Sequence, residues 1–182
     1  MTSNFVPVEN RIGIQPISQS NGATPSQYQT GQSPLFGQAH PLGTIVRAYD
    51  ATLGEGEFIY LLGVASTAVG NVVNYNTTTY QTVLSPNTAN NDDPVAVAMS
   101  ANVAGQYGWY QITGLATALK TAVQVLPGAK IYQSATAGRW MPTSAAGKEI
   151  LGARAANLAT VTSTTSTIVV LINRPSGEGQ VS

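Results

Sequence analysis

The chain has 182 residues, with eight Lys and Arg against eight Asp and Glu, one His and no Cys. Without cysteine there is no disulfide framework, thiolate nucleophile or cysteine-ligated metal centre. Zero net charge with only 9% charged residues lacks the clustered cations that phosphate neutralisation needs, so no nucleic-acid partner is expected. No run of about 18 apolar residues points to a membrane helix. Met1–Asn10 carries neither a basic region nor an apolar core, so no signal peptide is expected.

Residues 1–42 read as an extended N-terminal arm. Pro7, Pro16, Pro25, Pro34 and Pro41 punctuate Ser, Gln, Asn and Gly. Proline fixes φ and removes a donor, so neither a long helix nor a central strand is expected there. Apolar residues stand singly among the polar ones: Phe5, Ile12, Ile14, Ile17, Tyr28, Leu35 and Phe36. A solvated linker has little use for such knobs. An arm that buries them one at a time on another surface does, although a disordered tail is the alternative.

From Leu42 onward the pattern is β. Residues 43–49, 57–62, 70–75 and 80–84 are short runs rich in β-branched and aromatic side chains. The first two are separated by a turn through Asp50–Gly56, and Ser85–Pro94 reads as a loop. Further strands are expected at 94–100, 107–113, 129–134 and 167–173. Leu115–Val123 and Lys148–Leu158 fit period two and period near four alike, so one of them could be a short helix. The result is an all-β fold, a compact β-barrel or sandwich of short strands, over residues 43–174, with a C-terminal tail at 175–182.

A faint echo raises the alternative of an internal duplication. Gly70–Tyr75 resembles Gly128–Gln133, Ala98–Val103 resembles Ala153–Leu158, and Trp109–Ile112 resembles Ile168–Leu171. The three offsets agree roughly, as two similar β units would require. In the strand around Trp109, Tyr107 and Trp109 share one face, Tyr110 and Ile112 the other. Such a strand is either central or covered by another chain.

Reactive chemistry finds little support. A nucleophilic triad needs a held imidazole, and His40, the single histidine, precedes Pro41 at the end of the arm. Glu55 and Glu57 are spaced to share a strand face, but their Gly-rich surroundings favour a solvated tip. Asn90–Asp93 lacks the spaced acidic pattern of a calcium loop. No Gly-Lys-Ser/Thr phosphate loop follows Gly43, Gly54 or Gly56. No catalytic residue, cofactor or metal is therefore assigned. Trp109, Trp140 and the tyrosines leave sugar stacking open.

The segments Leu42–Asp50, Gly54–Tyr60, Pro94–Ser100, Gly105–Gly114 and Gly128–Tyr132 resemble small structural proteins of tailed bacteriophages, and the alternation of Val/Ala strands with Gly turns is similar to capsid decoration, or cement, proteins. The resemblance implies a β-rich, non-enzymatic protein on the outer surface of an icosahedral head, made in the bacterial host cytoplasm. It implies the major capsid protein as partner, together with further copies of the chain in a small homo-oligomer. The expected capsid or subunit interface comprises the arm knobs Phe5, Ile12, Ile14, Ile17, Tyr28, Leu35 and Phe36, then Tyr107, Trp109 and Tyr110. The alternative is a carbohydrate-binding or host-recognition module on the virion surface.

Overall fold

The computed structural model describes residues 4–8, 14–22, 38–102 and 104–180. Among them there are strands and no helix. β1 (Val6–Pro7) and β2 (Asn21–Gly22) come from the N-terminal segment. β3 (Ile45–Asp50), β4 (Gly54–Leu62), β5 (Val72–Tyr75), β6 (Thr82–Leu84), β7 (Val95–Ala98) and β8 (Gln106–Gln111) follow. β9 (Thr113–Leu119), β10 (Lys130–Gln133), β11 (Trp140–Met141), β12 (Glu149–Ala155) and β13 (Thr167–Gly177) complete the chain. The first sheet runs β1-β3-β4-β8-β7-β5-β6, with β2 beside β8, and curls into a half-barrel. The second runs β11-β10-β12-β13-β9. All strand pairs are antiparallel. The all-β expectation therefore holds.

Both ambiguous segments are strands. Residues 113–119 alternate half-buried Leu and Thr with buried Ala116 and Ala118, and tertiary burial selects that period over a helical one. Residues 149–155 carry an irregular pattern because the register shifts between Leu151 and Ala153, at the positive-φ Gly152. That bulge disguises the period of two. β4 begins at Gly54, so Glu55 and Glu57 lie in a strand and not in a turn. The boundary drawn at residue 174 falls inside β13, where Gly177 N–H still donates to the Asp93 carbonyl.

The two sheets contain the same five-strand unit. β6-β5-β7-β8-β4 in the first sheet has the order of β11-β10-β12-β13-β9 in the second, strand for strand along the sequence. The loops agree as well. Gly70 N–H bonds Ala98 O, as Gly128 N–H bonds Ala155 O; Asn102 N–H bonds Thr67 O, as Val161 N–H bonds Val125 O. Gly70 and Gly128 both adopt positive φ. The three sequence echoes fall on equivalent strands, β5 with β10, β7 with β12 and β8 with β13, but only the first is in register: the structure matches Ala98 with Ala155, two residues past the echo, and Tyr110 with Val170, one residue past it.

Three apolar clusters fill the molecule. Ile59, Leu61, Val73, Ala96, Ala98, Tyr110 and Ile112 line the inside of the half-barrel. Val72, Val95 and Val97, on its outer surface, pack with Ala116, Ala118, Ile131, Trp140, Ile168 and Val170 of the second unit. The third cluster joins Phe58, Tyr60 and Trp109 to the N-terminal segment. The first sheet is thus buried on both faces over much of its width, which is why its strands read as nearly continuous apolar runs.

Candidate functional site

The N-terminal segment is seated on its own domain. Phe5 packs edge-on against Phe58 at 4.8 Å between ring centroids, and Ile17 is fully buried in the same cluster, with Ile14 half-buried beside it. Backbone pairing fixes the register: Val6 lies opposite Tyr49, and Asn21 opposite Tyr107. The Asp50 carboxylate accepts hydrogen bonds from the backbone N–H of Thr52, Leu53 and Asn4, at 2.7, 2.9 and 2.8 Å. The Leu53 bond is foremost in holding this carboxyl below its ordinary pKa, with burial opposing and the Thr52 and Asn4 bonds adding to it.

His40 braces the seat from the other side. Its ring meets Tyr60 edge-on and tilts against Trp109, each at 5.2 Å between centroids. Gln15 N–H donates to its Nε2 at 3.4 Å, so the imidazole accepts there as the neutral base. Burial lowers its pKa. This half-buried histidine makes its contacts within the chain. The Ala39 N–H donates to Tyr60 Oη, and desolvation pushes the Tyr60 phenol up to about 12.

Of the residues expected at an interface, Phe5, Ile17, Trp109 and Tyr110 are buried in this chain's own cores. Ile14 and Tyr107 are half-buried against the seat. Ile12, Tyr28, Leu35 and Phe36 lie outside the described residues. The two-faced strand is accounted for within the chain: Trp109 faces the N-terminal segment and Tyr110 the half-barrel interior. Trp109 and Trp140 are both fully buried, so neither indole face is available for a sugar.

At one edge of the first sheet the surface offers apolar side chains: Val6, Val8, Ile45 and Tyr49 are 64, 53, 41 and 53% exposed. Val8 N–H donates to Arg47 O, so by alternation Pro7 points its backbone outward, where it has no N–H for a further strand. The edge is therefore blunted against strand addition, and on its outer face the exposed apolar side chains flank Arg47, which pairs with Glu55. Strand alternation was a usable signal here: in Ile45–Asp50, Val46 and Ala48 go in, and Ile45, Arg47 and Tyr49 go out.

The charged groups of β4 form a second feature. Arg47 pairs with Glu55, and Arg174 with Glu57 at 2.8 Å, around an open cleft of about 520 Å³ that Thr113 and Asn173 also line. Each carboxylate thus already faces a guanidinium. The first pair ties β3 to β4 within the first sheet, and the second ties β13 to β4 across the junction of the two units. Exposed pairs of this kind contribute at most about 1 kcal/mol each.

No family model matches the chain, and no curated protein matches it.

Proposed function

We propose that this protein is a non-enzymatic virion structural protein that binds the outer surface of a phage head and cements neighbouring major capsid protein subunits. The observation that carries this reading is the group of exposed apolar side chains Val6, Val8, Ile45 and Tyr49, interrupted only by the ion-paired Arg47, on a chain of zero net charge. Apolar side chains with few charges are what the core of a protein interface is made of. Neutrality lets many copies crowd on one lattice without mutual repulsion. Repeated weak contacts then act together through effective concentration.

The test uses heads that carry the protein. Val6→Ser with Tyr49→Ser leaves the buried side chains untouched, so the isolated protein keeps its melting temperature. Heads assembled with this variant should lose most of their bound copies and their resistance to heat and osmotic shock. Full occupancy with unchanged robustness would remove the strip from the function. Deleting residues 1–42 is a poorer test, because it removes part of the core.

A further inference from the structure

The two units place equivalent faces in different environments. Matching the rungs Ala98–Tyr110 and Ala155–Val170 aligns Phe58–Gln111 with Leu115–Leu171, Tyr60–Trp109 with Thr117–Val169, and Leu62–Tyr107 with Leu119–Thr167. In the first unit this face lies under the N-terminal segment, which seats Ile14 and Ile17 on it. In the second unit the same three rungs are half-buried or exposed and belong to no buried cluster. The edge repeats the contrast. β2 pairs with Tyr107 where β7 has ended, whereas no strand among the described residues pairs with Thr167 on its β12 side. Beyond that edge, Leu158 stands fully exposed.

We infer that the outer face of β9 and β13 is a docking site for an extended, uncharged polypeptide segment of another protein, carrying aliphatic side chains three residues apart, as Ile14 and Ile17 are. The occupant follows from the first unit, where such a segment covers the same rungs and adds a short strand at the same edge. The Ile14–Ile17 segment of this chain is already seated in the first unit, so we assign the second face to a segment of another protein. Rows of Leu, Thr and Val give shallow sockets between rungs, and the neighbouring edge supplies backbone partners, the combination used in strand-addition recognition.

The probe is a capped synthetic peptide with the sequence of residues 14–22, titrated into the full chain while backbone amide shifts are followed. Saturable shifts are expected at Thr117, Thr167, Val169 and Leu171. Val169→Asp in the chain, or Ile17→Asp in the peptide, should weaken binding at least about tenfold. Leu171→Arg serves as a second variant, and unchanged amide shifts in the first unit report that each variant is folded. No saturable shift at millimolar peptide would overturn the inference. So would shifts confined to Phe58, Tyr60 and Trp109, which would mean exchange with the chain's own segment. Concentration-dependent self-association abolished by Val169→Asp would also overturn it, assigning the face to a second copy. None of these outcomes depends on binding to a phage head.

Discussion

Val72 faces Val97 across the β5–β7 ladder, and both are buried against the second unit. On the same rung of the second unit, Lys130 faces Arg154, and both are exposed. One backbone arrangement is thus used twice with opposite surfaces. The first copy presents valines that the second copy covers. The second copy presents cations to water, as the polar outer face of a terminal repeat does.

That contrast makes the first prediction. Val97→Arg or Val72→Lys places an unpaired cation between the units, and each should lower unfolding free energy by more than about 4 kcal/mol or prevent folding. The converse pair, Lys130→Val with Arg154→Val, should leave the denaturation midpoint within about 0.5 kcal/mol but promote association through the new apolar patch. Urea melts and sedimentation check both. A well-folded Val97→Arg variant would show that the packing between units is dispensable.

The N-terminal segment should behave as part of the core. Ile17→Ala removes a fully buried side chain and is expected to cost about 2–4 kcal/mol. Deleting residues 1–22 should uncover Trp109 and shift its fluorescence to longer wavelength, with Trp140 as the unchanged background. An Ile17→Ala protein as stable as the parent would show that the segment merely rests on the surface.

Acid should loosen the same seat in two steps. His40 has a pKa lowered from 6.5 by burial, so the unfolded chain gains its proton first as pH falls. Its contribution is present above 6.5 and is lost as pH drops below that value toward the folded pKa. Asp50 has a pKa lowered from 3.8, foremost by the Leu53 N–H. Its contribution is present above 3.8 and is lost as pH falls through the folded pKa. Both slopes have one sign. Melting temperature should decline below about pH 6.5 and again below about pH 3.8. His40→Phe, which keeps the ring contacts, should flatten the first decline and leave the second. A first decline that persists in His40→Phe would assign it to another group.

The β architecture was legible because burial imposes period two on β3, β9 and β13 and leaves short continuous apolar runs in the strands covered on both faces, while Gly and Pro mark the turns between them. The duplication left only faint echoes, since what the units share is backbone: a positive-φ glycine at 70 and 128, and matching loop hydrogen bonds. β11 escaped notice because two residues, Trp140 and Met141, show no period. A knob such as Ile17 does not reveal from sequence whose socket it fills. Here the socket is Phe58, Tyr60 and Trp109, residues that read as core strands in their own right. Glu55 and Glu57 were misplaced because Gly54 and Gly56 look like a turn. Gly56 instead lies where a Cβ would press on the Thr113 carbonyl at 2.8 Å, so glycine is kept there for close approach.

Alkaline titration sets two buried groups against one another. Desolvation raises the Tyr60 phenol from 10.0 to about 12, so above pH 10 the unfolded chain ionises while the folded one does not. Stability should therefore fall between pH 10 and 12, by roughly 2–3 kcal/mol from this residue. Lys120 works the other way. It is fully buried, its ammonium donates to the Thr121 and Val123 carbonyls at 3.1 and 2.8 Å, and burial lowers its pKa from 10.5. The unfolded chain holds the lysine proton longer, so this group adds stability as pH rises from the folded pKa toward 10.5. Lys120→Met removes that gain while keeping the stem's volume, and should bring forward the onset of alkaline destabilisation. Tyr60→Phe should delay it, at the cost of the Ala39 hydrogen bond. Melting temperatures from pH 8 to 12, with phenolate absorbance recorded in parallel, distinguish the two. Identical alkaline profiles for the parent and Tyr60→Phe proteins would show that this phenol is not what limits stability at high pH.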